Sequence, residues 1–239
     1  MYRWAFINVL QEVTLTNPDE LTDSIEDYLK AIHKVQKESD AVSTSELAEH
    51  LDISPASVSG MTKKMADMNL VEHKPYEGVS LTEHGEKIAL EVVRHHRLIE
   101  RFLTEALDIS WDQVHEEAER LEHVISEELE DRMEEFLDHP DTDPHGSPIP
   151  SREGTIERPP SKPLSEMDAG ESALIYEVSD HDSDLLRYLA QKNLFPGTKV
   201  TYISEEPYSG GVNLEANGQN ITIGSEAASY IQVTDESNF

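Results

Sequence analysis

The stretch "SPASVSGMTKKMADMNLV", residues 54–71, decides the fold of the N-terminal part of the chain. Ser54 is a good helix N-cap, and the proline that follows it stands at the first helical position, where proline is favoured. Just before it, in "STSELAEHL" (43–51), Ser43 and Glu46 have the spacing of a capping box. The sequence therefore predicts two short helices that are separated by a tight turn.

The segments on either side complete a known order of elements. "SIEDYLKAIHKVQKE" (24–38) repeats apolar residues at helical spacing, and "VEHKPYEGVSLT" (71–82) reads as two β-type segments around a glycine-containing turn. Helix, short helix, turn, helix and β-ribbon is the order of a winged helix-turn-helix. Two helices joined by a turn could pack together without any role in DNA binding. The β-ribbon that follows them favours a DNA-binding domain.

The second helix of the pair has small side chains along its N-terminal half, which allow close approach to base edges and phosphates. Lysines lie in its C-terminal half and beyond it, where cations would meet a DNA backbone. We therefore expect double-stranded DNA as the partner of this segment. The candidate DNA-contacting residues are Ser54, Ala56, Ser57, Ser59, Lys63, Lys64 and Lys74.

The chain is strongly acidic, because 49 acidic and 19 basic residues give its 239 residues a formal net charge of −30. With 37% hydrophobic residues it should nevertheless form folded cores. The repulsion among these negative charges largely vanishes at molar salt, where the Debye length falls to roughly 3 Å. We therefore expect halophilic adaptation to a salt-rich cytoplasm. The apolar stretch "WAFINVL" (4–10) is too short to span a bilayer, so a cytoplasmic protein without a membrane partner is expected.

Beyond residue 82 the sequence pattern changes twice. Residues 86–107 and 111–137 read as two further helices, and a segment with seven of the twelve prolines follows them as a linker. The remainder alternates short β-type runs with turns, and it contains one helix predicted at 183–193. The sequence thus predicts a mainly α chain that ends in a small β-barrel.

Histidines and glutamates share one helical stripe in "HEEAERLEH", residues 115–123. The stripe borders an apolar face, so its side chains should be partly buried. A solvated acidic face would explain any one glutamate, but buried carboxylates are costly unless a cation neutralises them. Since the chain has no cysteine, only nitrogen and oxygen atoms could hold one or two divalent metals. The candidate ligands on this helix and the preceding one are His96, Glu100, His115, Glu119, Glu122 and His123.

Six motifs follow one another along the chain in a specific order: "EDYLKAI", "SPASVSGMTKKM", "LTEHGEKIA", "HHRLIERFL", "VHEEAERLEHVISEELEDRM" and "HGSPIP". In this order they resemble the diphtheria toxin repressor family of metal-dependent transcription regulators, over roughly residues 22–235. The resemblance implies five parts: an N-terminal extension (1–21), a winged helix-turn-helix domain (22–84), a helical metal-binding and dimerisation domain (85–139), a proline-rich linker (140–164) and an SH3-like domain of the FeoA type (165–239).

The resemblance also implies two metal sites. The primary site would take Asp27, Glu119, Glu122 and His123. The ancillary site would take His96, Glu100 and His115. In "SDHDSD" the C-terminal domain could add His181, Asp182 and Asp184, although a solvated turn explains these three equally well.

Three features of the sequence determine which properties of the family can be expected in this chain. Asp27 and Glu119 stand where iron-responsive relatives have a sulfur pair, which favours the manganese-responsive branch and Mn(II), with Fe(II) as the alternative. Lys30, however, stands where manganese regulators with a paired two-metal site have a carboxylate. Gly60 replaces a glutamine that contacts bases in some relatives, so the operator sequence cannot be inferred.

The leading hypothesis is a homodimeric, Mn(II)-activated repressor of metal-uptake genes that binds a double-stranded DNA operator and has no enzymatic activity. A metal-dependent hydrolase is an alternative from another class, because histidine and glutamate clusters also build catalytic sites. A metal-independent architectural DNA-binding protein, in which the carboxylates serve only salt adaptation, is a third.

Overall fold

The computed structural model describes residues 21–36, 41–74, 78–207 and 210–238. They divide into two compact units. The first unit contains the described residues up to His96 together with Glu119–Met133 and Pro150–Thr155. The second contains Arg97–Ala118, Glu134–Ile149 and the described residues from Ile156 onward. The predicted N-terminal extension lies, but for its last residue, outside the described residues.

The first unit begins with three helices and a two-stranded sheet, as the sequence predicts. These elements are α1 (Asp23–Gln36), α2 (Thr44–His50), α3 (Pro55–Asp67), β1 (Val71–Lys74) and β2 (Gly78–Leu81). Ser43 and Glu46 form the predicted capping box, and the Ser54 hydroxyl accepts a hydrogen bond from the Ser57 amide at 3.2 Å. The winged helix-turn-helix prediction is confirmed. The turn of the wing, residues 75–77, lies outside the described residues.

The core of this unit holds the DNA-binding elements together. Side chains from α1, α2 and α3 meet those of the ribbon and of the next helix, and their burial removes apolar surface from water. Thr82 begins that next helix by accepting a hydrogen bond from the Gly85 amide at 3.1 Å. The fully buried core residues include Ile25, Leu29, Ile32, Leu47, Val58, Met65, Leu70 and Ile88.

Three further helices follow where the sequence predicts two. They are α4 (Glu83–Leu107), α5 (Val114–Leu121) and α6 (Glu127–Phe136). The single helix predicted over 111–137 is therefore wrong. The break occurs because Ser126 begins a new helix, in which its hydroxyl accepts a hydrogen bond from the Leu129 amide at 3.3 Å. Glu122 and His123 thus lie in the connection after α5, outside any helix.

The second unit contains a six-stranded antiparallel sheet in the order β3-β8-β4-β5-β6-β7. Its elements are β3 (Lys162–Pro163), β4 (Ser172–Val178), α7 (Ser183–Gln191), β5 (Lys199–Glu205), β6 (Gly211–Ala216), β7 (Gln219–Gly224), α8 (Ser225–Ser229) and β8 (Ile231–Thr234). The sheet belongs to the predicted SH3-like class, but among the described residues β3 and β7 do not pair with each other, so they are open edges rather than partners in a closed barrel. One reason is that β3 has only two residues, of which Pro163 cannot donate a backbone hydrogen bond.

The first half of the predicted linker is folded against the second unit. Asp143 accepts hydrogen bonds from the amides of His145 and Ser147 at 2.8 and 2.9 Å, and all three residues are buried. Gly146 has a φ of +89°, and a Cβ there would lie 1.9 Å from the Tyr176 carbonyl oxygen. This turn therefore requires glycine, and residues 143–147 do not behave as a flexible spacer.

Among the described residues, no helix combines the length and the apolar composition needed to cross a membrane.

We predict opposite effects on stability for two glycine-to-alanine substitutions in the first unit. A Cβ at Gly85 would lie 1.9 Å from the Leu70 carbonyl oxygen, so Gly85→Ala should destabilise the protein by about 1–3 kcal/mol. Gly60→Ala is the matched control, because a Cβ there meets no atom within 4 Å and α3 gains about 0.5–1 kcal/mol of helix propensity. Thermal unfolding of both variants, followed by circular dichroism in molar KCl, measures the difference. An unchanged melting temperature for Gly85→Ala would contradict the close packing of α4 on Leu70.

Candidate metal centre

A carboxylate of the first helix lies beside an imidazole and a carboxylate from the connection after α5. His123 Nε2 is 2.9 Å from Asp27 Oδ1 and 3.4 Å from Glu122 Oε1. One ligand atom from each of Asp27, Glu122 and His123 lies within 4.8 Å of the others. All three residues belong to the first unit, so this triad brings together three of the four residues expected in the primary site.

A buried glutamate orients the imidazole of this triad. His123 Nδ1 is 2.6 Å from Glu26 Oε2, and Glu26 is only 1% exposed. Burial alone would lower the pKa of His123, but hydrogen bonds to Asp27 and Glu26 and the charge of Glu122 raise it to about 10. A divalent cation could replace the proton on Nε2 while Nδ1–H stays on Glu26, which is the usual outer partner of a metal-bound histidine. Sequence reasoning missed Glu26; its position on the apolar face of α1 is the signal that could have found it.

Glu119, the fourth expected primary residue, lies in an adjoining triad. This second triad consists of His96, Glu119 and Glu122, so the two triads share Glu122. His96 Nδ1 is 2.5 Å from Glu122 Oε2 and 4.0 Å from Glu119 Oε1. His96, which the sequence assigned to the ancillary site, therefore contacts a primary-site glutamate within the first unit.

A lysine lies on the same two glutamates. Lys30 Nζ donates a hydrogen bond to Glu119 Oε1 at 2.8 Å and a second, very short one to Glu122 Oε1. Burial alone would lower the pKa of Lys30, but the charges of Glu122 and Glu119 and their hydrogen bonds raise it. The ammonium group therefore remains charged at neutral pH.

A second buried imidazole holds the backbone of the connection in place. His95 Nδ1 lies 3.1 Å from the Glu122 carbonyl oxygen, while its Nε2 lies 3.4 Å from Glu130 Oε2 and 3.5 Å from Glu91 Oε1. Arg94 Nε contacts the other oxygen of Glu130 at 2.6 Å. Burial alone would lower the pKa of His95, but the hydrogen bonds and charges of Glu130 and Glu91 raise it to about 9. This ion network fixes the position from which Glu122 extends its side chain.

The second unit contains another cluster of possible ligands. His115 Nδ1 is 3.2 Å from Glu100 Oε1 and 3.8 Å from Asp180 Oδ2. His145 Nδ1 is 3.5 Å from Glu100 Oε2, and both side chains are fully buried. Two of the three residues expected in the ancillary site, Glu100 and His115, thus lie together. Sequence reasoning missed Asp180, which stands immediately before the "HDSD" residues that it singled out.

Those neighbouring residues have other roles within the second unit. Asp182 caps α7 by accepting hydrogen bonds from the Asp184 and Leu185 amides. Asp184 pairs with Arg187. The His181 ring is hydrogen-bonded to Ser179 at 2.5 Å. None of the three is brought to the Glu100–His115 cluster by a contact that the structure describes.

Both clusters have the donor chemistry of a divalent metal site. They offer imidazole nitrogens and carboxylate oxygens, without sulfur, at spacings that a single ion could bridge. In the second unit, Asp143 Oδ2 and His145 Nδ1 are buried and make no hydrogen bond among the described residues. Burial and the charge of Glu100 raise the pKa of Asp143, and the charges of His145 and of Arg97, whose Nε is 3.7 Å from Asp143 Oδ2, offset part of this increase. The residues present therefore fit a bound metal.

The helix expected to contact DNA presents its polar residues to solvent. Residues Val58, Thr62 and Met65 of α3 are buried against the core. The N-cap and the other positions singled out from the sequence on this helix are exposed: Ser54, Ala56, Ser57, Ser59, Lys63 and Lys64. Lys74, the remaining expected contact, ends strand β1 of the wing.

Three family descriptions match successive parts of the chain. "Iron dependent repressor, N-terminal DNA binding domain" matches residues 20–79, "Iron dependent repressor, metal binding and dimerisation domain" matches 82–151, and "FeoA domain" matches 162–235.

Individual relatives extend over nearly the whole chain. The iron-dependent repressor IdeR of Mycobacterium tuberculosis is 33% identical over 228 residues, which cover 90% of this chain and 98% of the relative. The diphtheria toxin repressor of Corynebacterium efficiens is 31% identical and covers 90% and 96%, respectively. A solved "Manganese-dependent transcriptional repressor complex with manganese" has a TM-score of 0.82 at 36% identity and covers 88% of this chain and 99% of that one. With such similarity over 90% of its length, the chain belongs to the diphtheria toxin repressor family of metal-dependent transcription regulators.

Proposed function

We propose that this protein is a cytoplasmic, homodimeric repressor of metal-uptake genes, which binds its DNA operator when Mn(II) occupies the primary site. The observation that carries the proposal is the contact of Asp27, on the first helix of the winged domain, with His123 beyond α5. A ligand set drawn from both segments lets metal binding act on the helices that carry the DNA-contacting surface.

The donor set favours Mn(II) as the physiological metal. Asp27 and Glu122 supply hard oxygen donors, and His123 supplies a nitrogen donor. Mn(II) prefers such donors to sulfur. One similar structure is described as manganese-dependent and in complex with manganese, whereas IdeR is described as iron-dependent. Fe(II) is therefore the alternative activator.

Each residue of the primary site has a separate part in the switch. A bound divalent ion would supply the positive charge that the clustered carboxylates lack. His123 would give up its Nε2 proton, while Glu26 keeps the ring in place through Nδ1. Asp27 would be held toward Glu122 and His123, which restricts how α1 can move relative to that connection. His95 contacts the backbone carbonyl of Glu122 and thereby holds this ligand residue in place.

The second cluster would serve as the ancillary site. Glu100, His115 and Asp180 supply its candidate ligands, and His145 lies next to Glu100. Glu100 and Asp143 are both buried, and a divalent ion would remove the repulsion between them. In this proposal Asp180 takes the part that the sequence assigned to His181, Asp182 or Asp184.

The exposed face of α3 would enter the DNA major groove. Its small residues leave room for close approach to base edges, and Lys63 and Lys64 would contact phosphates. The excess of acidic residues elsewhere does not prevent this, because surface charges are strongly screened at high salt.

The relatives are transcriptional repressors, a non-enzymatic family, which sets the hydrolase aside. A metal-independent architectural protein would keep its DNA affinity when a chelator is present. The substitutions below therefore distinguish that alternative from a metal switch.

We predict that Glu122→Gln and His123→Ala each abolish Mn(II)-dependent operator binding, because each removes a ligand of the first triad. The variants should remain folded dimers by circular dichroism and size-exclusion chromatography, since Gln keeps the shape of Glu122 and His123 is replaced at the edge of the core. DNA binding is measured by fluorescence anisotropy with and without Mn(II) in molar KCl. His139→Ala, at an exposed histidine of the second unit, is the matched control and should respond as the parent does.

Operator binding by the parent in the presence of excess chelator would refute the metal switch. Dissociation of the Glu122→Gln dimer would instead show that Glu122 is needed for dimer formation.

We predict that Lys63→Ala and Lys64→Ala weaken binding to all DNA sequences by similar factors, because lysines at these positions contact phosphates. Each substitution should also lower the slope of log affinity against log salt by about one. Titrations at several KCl concentrations, with the operator and with a scrambled duplex, measure both quantities. Lys192→Ala is the control, since Lys192 lies over the Tyr188 ring in the second unit. A changed sequence preference with an unchanged salt slope would show that the lysine contacts bases.

A further inference from the structure

The ammonium group of Lys30 lies inside the carboxylate cluster of the proposed metal centre. It donates hydrogen bonds to one oxygen of Glu119 and to one oxygen of Glu122. The side chains of Lys30 and Glu122 are 18% and 0% exposed, whereas that of Glu119 is 41% exposed, so solvent has little access to the contact with Glu122. A positive charge is therefore built into the cluster, and dissolved salt screens its pair with Glu122 only weakly.

The position of this charge coincides with one of the two ligand triads. The first triad, Asp27 with Glu122 and His123, and the second, His96 with Glu119 and Glu122, each have three donor atoms within 4.8 Å of one another. By spacing alone, each triad could hold an ion. Lys30, however, uses oxygens of two of the three side chains in the second triad. A metal ion there would need Glu119 Oε1, the oxygen that Lys30 holds. It would bind Glu122 through Oε2, the oxygen beside His96, and would meet the ammonium charge at close range.

The charge of the cluster leads to the same conclusion. The two triads contain three carboxylates, those of Asp27, Glu119 and Glu122. One divalent ion together with Lys30 would neutralise all three, whereas two divalent ions beside Lys30 would leave a positive excess. Glu26 adds one further negative charge behind His123 in either case. Since a buried excess charge is costly, the arrangement with a single ion is the more stable one.

We propose that Lys30 is a tethered cation that takes the place of a second metal ion, so that this centre binds one divalent ion and Glu119 is held by the lysine. The proposal rests on the proposed function, because it takes Asp27, Glu122 and His123 as the ligands of the first ion. Glu122 Oε1 can serve both cations, since a carboxylate oxygen has more than one lone pair. Lys30 thus determines how many ions the centre holds.

The decisive substitution is Lys30→Met, because methionine has an unbranched side chain of similar shape but no charge. It is made in a background in which the second cluster is disabled by His115→Ala and Asp180→Ala, so that only the first-unit centre is counted. Equilibrium dialysis with Mn(II) in molar KCl gives the number of ions per chain. We expect one ion in the background protein and two after Lys30→Met, a doubling of the bound metal.

Electron paramagnetic resonance gives a second readout that does not depend on DNA binding. A lone Mn(II) gives the spectrum of an isolated ion, whereas two ions that share Glu122 would be magnetically coupled. We therefore expect the coupled spectrum only after Lys30→Met and at saturating Mn(II). A lysine with a merely structural role would change stability without producing this signal.

Two controls separate charge from packing. Lys30→Arg keeps the positive charge and should keep one ion. Lys34→Met removes an exposed lysine one turn further along α1 and should also keep one ion. If circular dichroism shows that Lys30→Met is unfolded, Lys30→Gln, which is neutral but can still donate hydrogen bonds, carries the same expectation of two ions.

A folded Lys30→Met protein that still binds one ion would overturn the role of Lys30 and leave the proposed function intact. A coupled pair of ions in the background protein would also overturn it. If the background protein binds no Mn(II) at all, the proposed primary site itself fails, and this result appears before Lys30 is changed.

Discussion

The candidate metal centre depends on the imidazole of His123. This ring lies between Glu26 and Asp27 of the first helix and beside Glu122. Glu26 contacts one ring nitrogen, and Asp27 contacts the other. Because the ring is mostly buried, its second proton is stable only while those carboxylates are close. A metal ion can replace that proton and meet the same oxygens. The contact between α1 and His123 is made here by hydrogen bonds, and a bound metal would hold the same groups together.

The same principle governs the other buried carboxylates of the first unit. Lys30 neutralises Glu119 and Glu122, and Arg94 with His95 neutralises Glu130. The chain has 19 basic against 49 acidic residues, and Lys30, Arg94 and His95 lie where desolvation would make an unpaired carboxylate costly. In the second unit, the buried carboxylates of Glu100 and Asp143 lie beside His145 and Arg97, respectively, and the pKa of Asp143 is nevertheless raised.

Local sequence signals predicted the winged domain well, and long-range packing accounts for what they missed. The capping residues Ser43 and Ser54 act within one helical turn, so their effect can be read from the sequence. The break before Ser126 was missed because the apolar spacing continues across it, although the chain there turns to place Glu122 and His123. Local sequence patterns do not show which segments of the chain meet. Prediction of the roles of Glu26 and Asp180 and of the pairing of Lys30 needs that information. The family resemblance supplied the ligand positions but not these partners.

The open edges of the β-sheet have a consequence for solubility. An unpaired edge strand can pair with the edge of another molecule, and the strong negative charge of the chain would normally keep molecules apart. At molar salt that repulsion is screened, so protection against aggregation must then come from the edges themselves. One edge, β3, is two residues long and contains a proline, while the other, β7, exposes Asn220 and Thr222. Short length and polar side chains protect these edges at any ionic strength, whereas net charge protects them only in dilute solution.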